Sequence, residues 1–198
     1  MSTQTQQPVT IYMEANPNPN SLKFATNQML VPEGDSFDFP SIEDTAQAPL
    51  AEILFKKEYV DRVFYMSNFV TVTKKPEYEW VEIQNDVKDT IKEFLESGKR
   101  VIELRAQDLF EETNTSENAE LEEQIKNILE EYIKPAVEQD GGAISFHSYE
   151  KEGQKVKLLL QGACSGCPSS TITLKAGIEN LLKRMLPNDV KEVEAEGV

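Results

Sequence analysis

Leu158-Leu-Leu-Gln-Gly-Ala-Cys-Ser-Gly-Cys-Pro-Ser-Ser-Thr171 is the stretch on which the fold and chemistry of this chain turn. Before it, residues 155–161 alternate: Val156, Leu158 and Leu160 on one side, Lys155, Lys157 and Gln161 on the other, as in a half-buried strand. After it, Leu174, Ile178, Leu181, Leu182 and Met185 recur at helical spacing. Cys164 and Cys167 therefore fall in a tight turn between a strand and a helix. Gly162 and Gly166 permit backbone geometries that bulkier residues resist, and they leave amides able to donate to sulfur. Pro168 suits a first helical turn. The helix start aims N–H groups and a positive dipole end at Cys167, which favours thiolate. The neighbours offer no bulky apolar shield, so both thiols are expected to be accessible. Accessible thiolates bind soft metals.

The donor count decides what such a loop can hold. The chain has 2 cysteines and 1 histidine. Iron–sulfur clusters take four Cys ligands, and structural zinc takes four Cys or His ligands. One chain cannot close such a site. Two copies of the loop supply the thiolates for a [4Fe–4S] or [2Fe–2S] cluster at a dimer interface with solvent nearby, a labile arrangement suited to a carrier. The rival is a thioredoxin-like dithiol oxidoreductase, which shares the strand–Cys-x-x-Cys–helix order. Against it, no aromatic precedes Cys164, the proline follows the pair, and the element order lacks a βαβ unit. Zinc across a dimer remains a third use, and a merely structural buried pair is the least favoured.

Upstream of the loop, residues 143–149 and 155–161 make an antiparallel hairpin around Lys151-Glu-Gly153. Before them, Leu121, Ile125, Ile128, Leu129, Tyr132 and Ile133 form a helical stripe that Ser116 or Asn118 could cap, with Pro135 ending or kinking it and Asp140-Gly-Gly142 closing it. A last short strand is expected at 189–193. Residues 111–120 carry no apolar side chain larger than Ala and no positive charge, which predicts a flexible acidic linker over 101–118. Residues 9–100 form a first unit. Strands are expected at 9–15 and 22–25, a turn at Asn16-Pro-Asn-Pro-Asn20, and a helix at 42–57 with Pro49 in an early turn. A hairpin at 60–73 turns on Ser67-Asn68, and a helix at 80–97 stops at Gly98. Residues 1–8 read as a disordered tail. The fold class is α+β: two small α/β-sandwich-like domains, the second (119–198) ordered α-β-β-[Cys-x-x-Cys]-α-β.

Composition narrows the partners. The 198 residues hold 20 Lys and Arg against 35 Asp and Glu, a net charge of −15. So acidic a chain is a poor match for nucleic acid or an anionic membrane surface. Its longest apolar run, 63–66, is far short of the ~20 residues a spanning helix needs. The first residues show neither basic nor apolar signal character. The expected setting is reducing and cytoplasmic.

At Ile133-Lys-Pro135, Asp140-Gly-Gly142, the cysteine loop and Leu174-Lys-Ala-Gly-Ile-Glu179, the chain resembles the NifU C-terminal-like (Nfu) domain of iron–sulfur cluster scaffold and carrier proteins. The first unit resembles the Nfu N-terminal domain through Asn16-Pro-Asn-Pro-Asn-Ser-Leu-Lys-Phe24, Pro49-Leu-Ala-Glu-Ile-Leu-Phe55 and Phe69-Val-Thr-Val-Thr73. The resemblance implies that Cys164 and Cys167 ligate a cluster, usually [4Fe–4S], bridged between two protomers, supplied by upstream assembly machinery and passed to apo iron–sulfur proteins. It assigns no ligand to the first unit, which has no cysteine.

Other conspicuous residues read more plainly. His147 falls on the solvent side of its strand, Phe24 and Trp80 are core, and residues 16–20 are explained by turn chemistry. Asp140-Gly-Gly142 is explained as a helix stop. No nucleophile–base pair, phosphate-cradling loop or carboxylate dyad stands out, so no enzymatic activity is expected.

Overall fold

The computed structural model describes residues 8–103, 118–165 and 168–197. The tail expected at 1–8 and the linker expected at 101–118 lie almost wholly outside the described residues. By its internal contacts the chain divides into two units, 1–14 with 22–104, and 15–21 with 105–198. Among the described residues, no helix is long and apolar enough to cross a membrane.

The first unit is built on a five-stranded sheet in the order β1-β2-β5-β4-β3. Its strands are β1 (Ile11–Ala15), β2 (Ser21–Thr26), β3 (Ser36–Phe39), β4 (Val60–Met66) and β5 (Phe69–Lys74). The hairpin at Ser67-Asn68 forms as its sequence predicts: Met66 pairs with Phe69, and Ser67 takes φ 47°. Strand β3 was not anticipated, because Ser36-Phe-Asp-Phe39 is too short to show a period. The helix expected over 42–57 is divided into a 3₁₀ turn at Ile42–Thr45 and α1 (Pro49–Phe55). Pro49 at the first position explains the break, since it has no N–H to carry a helix through and disfavours helix at the residue before it. Helix α2 (Trp80–Glu96) ends at Ser97, and Gly98 follows with φ 71°. Leu50 and Leu54 of α1 and Val87 and Ile91 of α2 are fully buried in one core with Phe24, Val63 and Val72. Trp80 meets the Phe24 ring edge-on at 6.3 Å.

The second unit has a three-stranded sheet, β6 (Gly142–Glu150), β7 (Lys155–Gly162) and β8 (Glu192–Gly197), in that spatial order. Val156, Leu158 and Leu160 of β7 are fully buried while the residues between them are half-exposed. That alternation places helices over one face, and Ile125, Val137, Ile178 and Leu182 complete the core with Val193 of β8. The long stripe at 121–133 becomes α3 (Ala119–Ile128), a π turn at Leu129–Ile133 and α4 (Lys134–Gln139). Pro135 thus neither ends nor sharply breaks the helix. Its ring would strike the carbonyl four residues back, and widening the preceding turn relieves that clash. Asn118 occupies the N-cap position of α3 without a side-chain cap bond. Helix α5 (Pro168–Met185) follows the cysteine loop and leads to β8, which runs parallel to β7. A parallel return through a helix is a βαβ crossover. The chain therefore contains the unit its sequence was expected to lack, because parallel pairing cannot be told from antiparallel in a sequence of alternating residues.

Candidate functional site

The loop grows from the end of the β6–β7 ladder, where Gly142 pairs with Gly162. Helix α4 stops just before it. The Asp140 N–H donates to the Ala136 carbonyl at 3.1 Å, the Gly141 N–H donates to Glu138 at 3.0 Å, and Gly141 takes φ 77°. Only glycine enters that left-handed region without strain. On the facing side, Gly162 takes φ 63° and turns the chain out of β7. The two turns are then tied together. The Ala163 N–H donates to the Gly141 carbonyl at 3.3 Å, and the Ser165 N–H donates to the Gly162 carbonyl at 3.1 Å.

Cys164 sits in this double turn and is only 7% exposed, counted within the second core. That corrects the expectation of an accessible thiol. The sequence neighbours of Cys164 are indeed small, but the cover comes from elements distant in the chain, which sequence adjacency does not reveal. Gly142 is part of that cover. A Cβ at residue 142 would stand 2.7 Å from the Gln161 carbonyl oxygen, 2.9 Å from Cys164 Sγ and 3.2 Å from the Cys164 nitrogen. The thiol thus occupies space that any other residue at 142 would fill. Asp140-Gly-Gly142 stops a helix, as expected, and also packs against the cysteine, which was missed.

A cavity of about 430 Å³ opens beside Cys164, lined among others by Asn18, Val137, Asp140, Ala163 and Leu174. Segment 15–21 groups with this unit. Its repeated asparagines do form side-chain turns: Asn16 Oδ1 accepts from the Asn18 N–H and Asn18 Oδ1 accepts from the Asn20 N–H, each at 3.0 Å. The Asn18 side chain, 4% exposed, also donates from Nδ2 to the Ala163 carbonyl at 3.1 Å. Turn chemistry accounts for the shape of the segment but not for this second bond.

Helix α5 begins at Pro168, as its sequence predicts, and Cys167 lies outside the described residues. The helix is held to its parallel strand by Glu179. Its Oε1 accepts from Lys183 Nζ at 2.5 Å and its Oε2 accepts from the Val193 N–H at 3.1 Å. The Lys183 bond, with help from the Val193 amide, holds the Glu179 carboxyl below its ordinary range. At the far end of the sheet, the Tyr149 hydroxyl donates to the Asp189 carbonyl at 2.6 Å. Burial first, and then the Asp189 charge, push that phenol upward.

His147 takes no part. It is exposed, falls where the β6–β7 register slips, and has Nδ1 3.0 Å from Ser148 Oγ. Five residue steps along the strand separate it from Gly142, ~16 Å at the usual rise. Among the described residues, no group of three or more His, Cys, Asp or Glu side chains gathers to hold a metal ion.

The fold and the loop define a class: a two-unit α+β protein that carries one thiol pair between a strand and a crossover helix. The family model described as "Scaffold protein Nfu/NifU N terminal" matches residues 11–98, and the one described as "NifU-like domain" matches 125–194. NifU-like protein 5, mitochondrial, of Arabidopsis thaliana is 39% identical over 187 residues, 94% of this chain and 67% of that protein. The NFU1 iron-sulfur cluster scaffold homolog, mitochondrial, of Drosophila willistoni is 38% identical over 190 residues, 93% of this chain and 62% of that protein. The solution NMR structure of a NifU-like protein from Saccharomyces cerevisiae aligns with a TM-score of 0.46 at 23% identity, covering 53% of this chain and 93% of that one. The chain belongs to the Nfu/NifU family.

This chain spans about two thirds of the length of the curated relatives it matches, from 62% to 67% in the plant and fly proteins named here and a second plant relative. The expected cytoplasmic setting does not stand, because these relatives are named mitochondrial. That expectation rested on reduced thiols and an unremarkable N-terminal sequence, and neither distinguishes one reducing compartment from another.

Proposed function

We propose that this chain is an iron–sulfur cluster scaffold and carrier. Two copies each contribute Cys164 and Cys167, hold one labile cluster of the [4Fe–4S] type between them, and pass it to apo iron–sulfur proteins. The cluster is cargo, received from upstream assembly machinery and given up again. Residues 119–198 are the cluster-binding domain, 9–100 an Nfu N-terminal-like domain, and 101–118 the acidic spacer between them.

The observation that carries this reading is the NifU-like match over 125–194, which spans both cysteines. Relatives are named as iron–sulfur cluster scaffold homologs, which supports the cargo. The donor count supports the dimer: a cluster takes four thiolates, and one chain has 2 cysteines. The burial of Cys164 adds a requirement. Its loop turns outward before a second chain's thiols can share the iron, and the adjoining cavity leaves room for the loop to rearrange.

A second reading, a dithiol oxidoreductase, is favoured by one observation, the β7–α5–β8 crossover that carries the cysteine pair at its strand–helix junction. Anaerobic reconstitution with iron and sulfide separates the two. The carrier reading expects a brown dimer with ~four iron atoms per pair of chains and quantitative transfer to an apo-ferredoxin. A colourless monomer that cycles between dithiol and disulfide would establish the oxidoreductase instead.

A further inference from the structure

At Gly142 the structure brings a backbone distant in sequence against Cys164 with no room to spare. Three atoms surround the missing side chain, and two of them, Sγ and the backbone nitrogen, belong to Cys164. The third, the Gln161 carbonyl, lies on the strand that carries the loop. Gly142 itself is fixed from both sides. It opens β6 opposite Gly162, and the residue before it accepts the Ala163 N–H. Neither partner can retreat cheaply. Two other glycines of this unit lack the feature: a Cβ at Gly153 would approach nothing closer than 3.4 Å, and one at Gly177 would meet nothing within 4 Å.

We propose that Gly142 is a positioning residue for Cys164: the space left by its absent side chain is the seat in which Sγ rests, and that seat sets how far the thiol is withdrawn in the metal-free chain. A side chain at 142 displaces Sγ and leaves the thiol more exposed. The consequence for cargo, that Cys164 Sγ must leave this seat before it can bind iron, rests on the carrier reading above.

The test uses the full metal-free chain carrying Cys167→Ser, so that alkylation reports Cys164 alone. Gly142→Ala raises the rate of Cys164 alkylation by about tenfold or more, the factor that ~1.4 kcal/mol of displaced packing produces in an opening equilibrium. Gly153→Ala, at the opposite end of the same hairpin, stays within about twofold. A folded Gly142→Ala chain whose alkylation rate equals that of its parent overturns the proposal.

Because Gly142→Ala also meets two backbone atoms, a second measurement guards against simple unfolding. Its loss of thermal stability is smaller in a Cys164→Ala background, where no Sγ competes for the seat, and strictly additive losses overturn the proposal. Both readouts are made without metal. A chain that takes up no iron would therefore remove the carrier reading and leave the seat intact, whereas unchanged alkylation with normal iron uptake would do the reverse.

Discussion

The two units of this protein finish comparable strands in opposite ways. In the first, β4 returns through Ser67-Asn68, and the turn is fully engaged: the Ser67 carbonyl accepts from the Leu30 and Val31 N–H groups, and Asn68 bonds Thr26 through both backbone and side chain. In the second, β7 does not return. It leaves through Gly162 into a loop that places a thiol against a glycine and enters a crossover helix. Both units bury Leu, Ile and Val of one sheet face under helices. The difference lies at the strand ends. The hairpin turn commits its polar groups to the backbone of neighbouring segments, while a crossover loop can carry a reactive side chain on a rigid frame.

The largest expected difference between the units is chemical. Replacing either cysteine, Cys164→Ala or Cys167→Ser, lowers iron per chain after reconstitution by at least about tenfold, since a cluster needs every thiolate. Alanine is chosen at 164 because serine would leave a hydroxyl among apolar side chains. Ser67→Ala, in the first unit's turn, leaves the iron content unchanged. Elemental analysis of the same preparations checks both.

A middle-sized effect separates two glycines within the second unit. Gly177 lies inside α5 with open space where its side chain would be. Gly177→Ala therefore stabilises the chain by about 0.5–1 kcal/mol in urea unfolding, the usual gain inside a helix. At the crowded Gly142, by contrast, the same substitution lowers stability. Equal and same-signed effects at 142 and 177 would remove the distinction on which the account of the loop depends.

The smallest effect is electrostatic. The Glu179 carboxyl is held below its ordinary value of 4.5 by Lys183 and the Val193 amide. The charged form is thus favoured in the folded chain. Its contribution is complete above the unfolded value and is lost as pH falls through the lower, folded one. Glu179→Gln therefore lowers stability slightly near neutrality and leaves it unchanged in strong acid, so stability falls less steeply with pH below about 4.5. The Glu179–Lys183 pair is part-exposed, so the loss, read by urea unfolding at pH 7 against acid pH, is small and weakens in salt.

Particular residues show what the sequence could and could not disclose. The Ser67-Asn68 hairpin, the Gly98 stop, Pro49 at a helix start, the β6–β7 hairpin and the exposed His147 were all legible, because each depends on neighbours in the chain. The short strand β3 was not, since four residues cannot establish a period. The π turn before Pro135 was not, since an end or a kink at the proline is all the sequence shows, and widening a helix removes the same clash as ending it. The parallel pairing of β8, the burial of Cys164, the Asn18 bond to Ala163 and the Gly142 contact all depend on segments far apart in sequence. The donor count came straight from composition, but the cover over the donor did not.

The central claim is that one chain supplies half of a cluster's ligands. Native mass spectrometry of the anaerobically reconstituted protein tests it most directly. The account predicts a species of two chains carrying one cluster, collapsing to apo monomer mass when the iron is removed. A cluster-bearing species of one chain, with all its iron retained, would contradict it.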